Sequence, residues 1–238
     1  MSLKYQRVLL KFSGEALMGQ GQFGLEAATL RKVVGEVKAL HELGVEVGLV
    51  VGGGNIFRGA QIAGSGIQRT TGDQMGMMAT VINALALRDV IEDMGMSAVI
   101  YSAMGIEGVS HGFNANQVKK GLQTGQVAIF AAGTGSPFFT TDTAAALRGI
   151  EIDADIVLKA TKVDGIYTAD PAKDPSAERL AVLSYDEVIQ RNLQVMDMTA
   201  FVLCRDHNMP IRVFDMFKEE AVIRIVRGED EGTLVHAG

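Results

Sequence analysis

Cysteine and proline are scarce in this chain of 238 residues, which contains one cysteine, Cys204, and four prolines. One cysteine cannot form an intrachain disulfide or a cluster of thiolate metal ligands. A free thiol is unusual in secreted proteins, and the first four residues do not open the apolar segment of a signal peptide, so we expect a cytoplasmic protein. No Pro- or Ser-rich tract indicates a linker, and we expect a single domain over residues 1–238.

Positive charge is also scarce, because 22 Lys and Arg residues are outnumbered by 28 Asp and Glu residues, giving a net charge of −6. Binding to nucleic acids or to anionic membranes requires a positive field over a broad surface, so we expect neither partner. No apolar stretch approaches the ~20 residues that cross a bilayer. Hydrophobic residues make up 47% and charged residues 21%, which is typical of a folded globular protein.

Glycine is abundant, with 28 residues, and much of it follows short apolar segments that are typical of buried strands. These segments alternate with longer ones whose apolar residues recur every three or four positions, as in amphipathic helices. The predicted strands cover 5–12, 45–51, 98–102, 127–132, 155–159 and 211–214, with a last edge strand at 233–235. The predicted helices cover 25–43, 73–94, 114–122, a segment opened at 140–142, 185–192, 199–208 and 219–227, and a long polar loop covers 162–175. The alternation predicts an α/β fold with a mostly parallel central sheet and helices on both faces.

Three well-known motifs can be set aside. A P-loop requires a Gly-Lys pair, and no glycine in this chain is followed by lysine. Residues 19–24 match G-x-G-x-x-G, but they lie well beyond the first strand, which favours a flexible glycine loop over a dinucleotide site. Residues 108–112 match the G-x-S-x-G nucleophile elbow, yet residues 103–107 separate them from the preceding strand. The four histidines show no metal-ligand spacing.

Two glycine loops follow the first two predicted strands. In the first, residues 11–15, Gly14 would let the backbone approach a phosphate, and Lys11 offers a positive charge beside it. In the second, residues 52–55, three glycines stand in a row, with Arg58 shortly after. Such a run costs backbone entropy, so it favours main-chain contact with a ligand over a plain tight turn.

Two polar loops follow later predicted strands. Residues 133–142 lead hydroxyl groups into a helix N-terminus, which favours a bound anion, although the same hydroxyls could serve only as helix caps. Residues 159–171 combine lysines, aspartates and Tyr167, which suits a nucleotide and equally a solvated turn. Because the carboxyl ends of parallel strands meet at one edge, the four loops together predict a phosphoryl-transfer site for two substrates.

The same loops resemble those of the amino-acid kinase superfamily. This resemblance rests on Lys11 with Ser13 and Gly14, on the glycine loop 52–55 and on residues 161–165. Longer strings that are similar to the bacterial uridylate (UMP) kinase family occur at 51–59, 72–77, 133–142 and 206–207. The resemblance extends from about residue 5 to residue 235, which is almost the whole chain.

The resemblance implies transfer of the ATP γ-phosphate to UMP in pyrimidine nucleotide biosynthesis, with Mg²⁺ carried on ATP rather than in a protein metal site. It also implies an acceptor-binding N-terminal part and an ATP-binding C-terminal part. The implied ATP-binding residues are Lys11, Phe12, Ser13, Gly14, Gly54, Arg58, Thr161, Tyr167 and Asp170. The implied UMP-binding residues are Gly53, Asp73, Thr134, Gly135, Ser136, Pro137, Phe138, Phe139, Thr140 and Thr141. The implied catalytic residues are Lys11, Arg58, Asp142, Lys159 and Asp197, of which Asp197 stands where other superfamily members carry a second catalytic lysine.

Regulation is implied by the resemblance as well. It predicts a homohexamer that GTP activates and UTP inhibits. The implied GTP segment comprises Gly19, Gln20, Gly21, Gln22, Phe23 and Gly24.

Two alternative functions share part of this pattern. A related kinase could phosphorylate an amino-acid carboxylate or a carbamate, but loop 133–141 has no arginine to clamp such an acceptor. A non-catalytic protein of the same fold could store metal oxoanions, but the joint presence of Lys11, Asp73 and Asp142 argues against that function.

Overall fold

A nine-stranded sheet lies at the centre of the computed structural model, which describes residues 3–58, 66–169, 173, 174, 176–191, 193 and 195–237. Within these residues the strands are β1 (Arg7–Phe12), β2 (Glu46–Val51), β3 (Ala98–Ser102), β4 (His111–Gly112), β5 (Val127–Ala131), β6 (Ile156–Thr161), β7 (Ile166–Tyr167), β8 (Arg179–Leu180), β9 (Val182–Ser184), β10 (Ile211–Asp215) and β11 (Thr233–His236). The helices are α1 (Ala27–Glu42), α2 (Arg69–Asp93), α3 (Ala115–Gln123), α4 (Thr141–Glu151), α5 (Tyr185–Gln190), α6 (Met198–Asp206) and α7 (Ala221–Arg227), with a short 3-10 helix at Gly14–Leu17.

The strand order of the main sheet is β4-β3-β5-β2-β1-β6-β10-β11-β9. The strands from β4 to β10 run parallel, whereas β11 is antiparallel to β10 and β9 is parallel to β11. In the central pair, Lys11 of β1 lies directly opposite Lys159 of β6. Because neighbouring residues in register point to the same face, this pairing brings two lysine side chains together.

Helices cover both faces of the sheet, and each face has its own hydrophobic core. On one face, Val8, Leu10 and Phe12 of β1 pack in a cluster that includes residues of α1, α2 and α7. On the other face, Leu9 packs with residues of α3, α4, α5 and α6. The two lysines share the side of Leu9 in the alternation along β1 and β6, so they point toward the face on which α4 lies.

The predicted α/β class and the mostly parallel sheet with helices on both faces are confirmed. The helix predicted to begin at residue 73 begins at Arg69 instead, because its N-cap Gln68 makes no capping hydrogen bond and carries no start signal. The strand at the end of the chain is not an edge strand, since β9 lies outside it. The loop predicted for 162–175 contains β7, which pairs with β8 in a separate ladder too short to show a periodicity.

No helix in the described part of the chain is long and apolar enough to cross a membrane.

Candidate active site

The carboxyl ends of β1, β2, β5 and β6 form one edge of the sheet, and the four loops singled out in the sequence all leave the sheet there. The chain passes from β1 to β2 on one side, whereas β6 lies on the other side of β1. The strand order therefore reverses at β1. Open α/β sheets bind their ligands in the crevice at such a point.

A carboxylate held between two lysines occupies the middle of this edge. One oxygen of Asp142 lies 2.6 Å from Nζ of Lys11, and its other oxygen accepts a hydrogen bond of 2.6 Å from Nζ of Lys159. Lys159 also donates to the backbone carbonyl of Val195. Only 7% of Lys11 and 9% of Lys159 is exposed. Two ammonium groups and one carboxylate leave a net positive charge at the strand ends, which is suited to polyphosphate.

The two lysines keep this carboxylate ionised. Burial alone would raise the pKa of Asp142, but Lys11 and Lys159 outweigh burial and hold that pKa below its ordinary value. Burial lowers the pKa of Lys159, the Asp142 carboxylate opposes that decrease, and the positive charge of Lys11 adds to it. A carboxylate in this setting is a poor proton acceptor, which argues against general base catalysis by Asp142.

The N-terminus of α4 is anchored by Asp197, the N-cap of α6. The Asp197 carboxylate accepts hydrogen bonds from the hydroxyls of Thr140 and Thr143, the latter at 2.9 Å, and from the Ala200 N–H at 2.9 Å. Thr140 in turn caps α4 by accepting from the N–H groups of Asp142 and Thr143. The described contacts of Asp197 are thus with helix ends and hydroxyls, and they make it a positioning residue for the segment that carries Asp142.

The first two glycine loops pack directly against each other. A Cβ added at Gly14 would overlap the carbonyl oxygen of Gly52 and the side-chain oxygen of Asn55. A Cβ at Gly53 would lie 2.8 Å from the carbonyl oxygen of Gly76 on α2. These contacts give glycine a packing role at both positions, in addition to the predicted approach of a phosphate.

The side chain of Arg58 contacts both of these loops. Its guanidinium lies 2.8 Å from a carboxylate oxygen of Glu15 and donates to the carbonyl of Gly54 at 3.1 Å. Both side chains of the ion pair are more than two-fifths exposed, so the pair is available for exchange with an anionic ligand.

A first cavity of about 350 Å³ opens between the second glycine loop, α2 and the loop before α4. The residues predicted for UMP that line it are Gly53, Asp73, Thr134, Phe139, Thr140 and Thr141. Gly54, which was predicted for ATP, lines it too. The remaining predicted residues of this loop, Gly135, Ser136, Pro137 and Phe138, are not among the residues that line the cavity in the described structure.

Asp73 connects α2 to this loop. Its carboxylate accepts a hydrogen bond of 2.8 Å from the Phe138 N–H and one of 2.9 Å from Arg69 one turn earlier on the helix. Since α2 begins at Arg69, Asp73 does not cap the helix. Phe138 has a φ of 73°, an uncommon conformation for a residue with a side chain, and the bond to Asp73 helps to hold it.

A second cavity of about 300 Å³ lies on the other side of Asp142, with Lys11, Ser13, Lys159 and Thr161 in its lining. Among the other residues predicted for ATP, Phe12 is buried and packs within the core, so only its backbone can contribute. Tyr167 donates to a carboxylate oxygen of Asp164 at 2.6 Å and does not line this cavity within the described chain. Asp170 lies outside the described residues.

The predicted effector segment 19–24 borders a third cavity of about 500 Å³ through Gly19 and Gln20. The segment is largely exposed, and Phe23 is 72% exposed. It is tied to the second glycine loop, because the N–H of Gly24 donates to the carbonyl of Asn55 at 2.8 Å.

Several residues of the site were not predicted from the sequence. Thr80 lines the first cavity and accepts the N–H of Ala132 at 2.8 Å. Asn83 donates to the carbonyl of Gly52 at 2.7 Å. Both lie on α2 among apolar residues, and the only available signal was a polar residue on the buried side of the helix.

Protein ligands for a metal ion are sparse here. Among the residues that the structure describes, no group of three His, Cys, Asp or Glu side chains is arranged to hold a metal. Both oxygens of Asp142 already contact lysines.

The fold agrees with that of similar proteins. The model of the amino acid kinase family matches residues 6–215, and this chain belongs to that family. Within it, the chain is similar to the uridylate kinase of Hydrogenovibrio crunogenus, with 88% identity over 99% of this chain and 100% of that protein. It is 57% identical to the uridylate kinase of Ectopseudomonas mendocina, over 98% of this chain and 94% of that protein.

Solved structures of similar proteins have the same fold. The UMP kinase of Bacillus anthracis superposes with a TM-score of 0.96 at 36% identity, covering 98% of this chain and 96% of the other. The UMP kinase of Ureaplasma parvum superposes with a TM-score of 0.91 at 33% identity, covering 98% and 99%.

Proposed function

We propose that this protein is a UMP kinase, which transfers the γ-phosphoryl group of ATP to UMP and releases UDP and ADP in pyrimidine nucleotide biosynthesis. The observation that supports this best is the Lys11–Asp142–Lys159 cluster between two cavities. Asp142 directly follows Thr141, which lines the first cavity, and contacts the two lysines that line the second. A phosphoryl group passing from one cavity to the other would cross this positive cluster.

We assign UMP to the first cavity and ATP to the second. The first cavity offers the Asp73 carboxylate, which suits ribose hydroxyls, and the N-terminus of α4, which suits a phosphate. The second offers Lys11 and Lys159 for the ATP phosphates, and Arg58 can leave Glu15 to join them. We keep the acceptor-binding N-terminal part and the ATP-binding C-terminal part as a proposal: Asp73 and the loop before α4 precede Lys159 and Thr161 along the chain, whereas Lys11 and Ser13, at the end of β1, contribute to the ATP side.

The chemistry we propose is positioning and charge stabilisation. Phosphoryl transfer passes through a loose transition state with charge on the γ-phosphate oxygens. The attacking phosphate of UMP is largely deprotonated at neutral pH, since its second pKa is about 6, so no base is needed. Lys11, Lys159 and Arg58 would stabilise the developing charge, and Asp142 and Asp197 would orient the lysines and the end of α4.

Mg²⁺ would come with ATP. Its ligands would be mainly phosphate oxygens, and Asp142 would be the nearest carboxylate, with each of its oxygens shared with a lysine. Bound in that way, it supplies neutralisation of phosphate charge.

We also propose a homohexamer in the cytoplasm, with GTP as activator at the segment 19–24 and UTP as an inhibitor that competes at the UMP site. An exposed apolar stripe on α2, formed by Met75, Met78 and Ile82, supports self-association, because monomers rarely leave such a stripe uncovered. The third cavity beside Gly19 and Gln20 offers space for an effector.

A coupled assay of ADP release tests the function. With ATP and Mg²⁺, we expect turnover that depends on UMP and is much weaker with CMP, glutamate or carbamate. Lys11→Ala serves as the control for contaminating kinases. Turnover with a carboxylate acceptor, or binding of UMP without turnover, would contradict the proposal in favour of the two alternative functions.

A further inference from the structure

Two buried amides, one on the second glycine loop and one on α2, lie outside the linings of the first and second cavities. Asn55 is 1% exposed and Asn83, on α2, is fully buried. Their side chains form a reciprocal pair, since Asn55 Nδ2 donates to Asn83 Oδ1 at 2.9 Å and Asn83 Nδ2 donates to Asn55 Oδ1 at 2.7 Å. The pairing fixes the orientation of both amides relative to each other.

Each amide uses its second hydrogen on the carbonyl of a glycine loop. Asn83 donates to the carbonyl of Gly52 at 2.7 Å, and Asn55 donates to the carbonyl of Gly24 at 2.9 Å. The N–H of Gly24 returns a bond of 2.8 Å to the Asn55 carbonyl. All four amide hydrogens are therefore used, and the pair joins α2, the second glycine loop and the segment 19–24.

The bond from Asn83 determines how one peptide plane of the site is turned. The Gly52 carbonyl and the Gly53 N–H belong to a single planar unit and point in opposite directions. Because both residues are glycines, the backbone dihedral angles alone leave this plane free to flip. With the carbonyl held by Asn83, the Gly53 N–H keeps one direction at the wall of the first cavity.

The position of this plane matters to both substrates. A Cβ at Gly52 would lie 3.0 Å from the N of Gly14 and 3.6 Å from the Thr141 hydroxyl, so the plane adjoins both the first glycine loop and the end of α4. A rotation there would move the Gly53 part of the first cavity's wall and disturb the packing of Gly52 against Gly14 and Thr141.

We infer that the Asn55–Asn83 pair is a positioning device for phosphoryl transfer: it fixes the peptide between Gly52 and Gly53 and fastens the segment 19–24 to it. The inference rests on the proposed UMP kinase function for its kinetic readout. Its structural readout, hydrogen exchange of the two loops, is independent of any activity.

Asn83→Leu is the primary variant, because leucine has a similar size and donates no hydrogen bond. The control is Leu87→Ala, one turn later on the buried side of α2, which removes core packing without touching either loop. We expect kcat per folded molecule to fall about 10- to 100-fold in Asn83→Leu, as for a misplaced reacting group, with smaller changes in KM. Amide exchange in peptides covering 19–24 and 52–55 should accelerate in this variant and stay unchanged in Leu87→Ala.

A double variant separates positioning from folding. In Asn55→Leu with Asn83→Leu, no side-chain amide remains unpaired, so part of the thermal stability lost in Asn83→Leu should return. The kcat should stay low, because nothing holds the Gly52 carbonyl. If kcat recovers with stability, or if Asn83→Leu keeps wild-type kcat, the inference is overturned.

Two further outcomes are informative. If Asn83→Leu does not fold, Asn83→Ser takes its place, since serine is smaller, remains polar and is too short to reach both partners. If the wild-type enzyme does not phosphorylate UMP, the proposed function fails, and unchanged exchange in both loops of the variant would separately overturn the inference.

Discussion

Lys11 and Lys159 sit side by side because β1 and β6 are parallel and in register, and Asp142 closes the gap between them. Lys11 could be predicted from the sequence, since it stands beside a glycine loop at the end of a strand. Its proximity to Asp142 could be predicted as well, because both residues follow strands that end at the same edge. The contact of Asp142 with Lys159 could not, because it depends on the pairing of β1 with β6, in which the two lysines are 148 residues apart in sequence. A cluster built by non-local pairing leaves no local pattern.

Removing the Lys11 ammonium should impair the chemical step more than binding. We expect Lys11→Ala to lower kcat by about 10²–10³, the range measured for loss of one electrostatic donor to a transition state. Lys119→Ala is the matched control, because Lys119, on α3, forms a surface pair with Asp153 away from the site, and the variant should keep the wild-type rate. Steady-state kinetics on folded protein, checked by thermal unfolding, would contradict this role for Lys11 if kcat stayed near normal.

Asp142 should affect stability in a defined pH range. Its pKa in the folded protein lies below its value in the unfolded chain, so its stabilisation is present above about pH 4 and is lost as the pH falls through the folded-state pKa. We expect Asp142→Asn to be less stable than wild type at neutral pH, with the difference shrinking below about pH 4. Urea unfolding across this range measures it, and Asp93→Asn, in an exposed pair with Arg31, should show no such convergence. A constant difference at all pH values would show that the Asp142 charge is not what stabilises the fold.

At the scale of elements, the sequence was most informative where strands and helices were long. The amphipathic period of α1 and the apolar segments of β1, β2 and β5 predicted their positions to within a few residues. The two- and three-residue strands β4, β7, β8 and β9 carry too few residues for a pattern, and they form only through tertiary pairing. The start of α2 was missed because Gln68 provides no cap.

The Asp73 carboxylate connects α2 to the loop before α4, where we place UMP. Removing its charge should therefore affect the binding of UMP. We expect Asp73→Asn to raise KM for UMP by about 10-fold or more, the effect of a lost hydrogen bond to a charged group, and to change KM for ATP much less. Asparagine can still accept from the Phe138 N–H, so the loop should remain in place.

Deoxy-UMP provides the control for that experiment. If Asp73 binds the ribose, the preference for UMP over its 2′-deoxy analogue should shrink in Asp73→Asn, because the hydrogen bond from the 2′-hydroxyl to the carboxylate is lost. If KM rises equally for UMP and for ATP, or if only the thermal stability falls, Asp73 serves only to hold the loop.

At the scale of the whole molecule, the Lys11–Asp142–Lys159 cluster carries a net positive charge within a chain whose net charge is −6. That contrast could be predicted from composition and motifs together, because acidity excluded broad anion binding while the strand-end lysines indicated a local anion site. The surface that would form the assembly could not be predicted in this way. The stripe of Met75, Met78 and Ile82 shows in a single chain only as apolar side chains left in water.

Effector control by GTP would link this stripe to the segment 19–24. An effector can act only by differential affinity for two states of the assembly, and linkage then requires GTP and UMP to change each other's binding by the same factor. We expect GTP to raise the rate at sub-saturating UMP in wild type, with the mass of a hexamer in the same buffer.

Ile82→Asp, which places a charge on a residue that is 49% exposed, should lower the oligomer mass and remove the GTP response while leaving the monomer folded. Asp89→Asn, in an exposed pair with Arg88 further along α2, is the control and should keep both. A flat GTP response from an intact hexamer would refute effector control and leave the kinase proposal in place, whereas a GTP response that persists in monomeric Ile82→Asp would show that regulation operates within one chain.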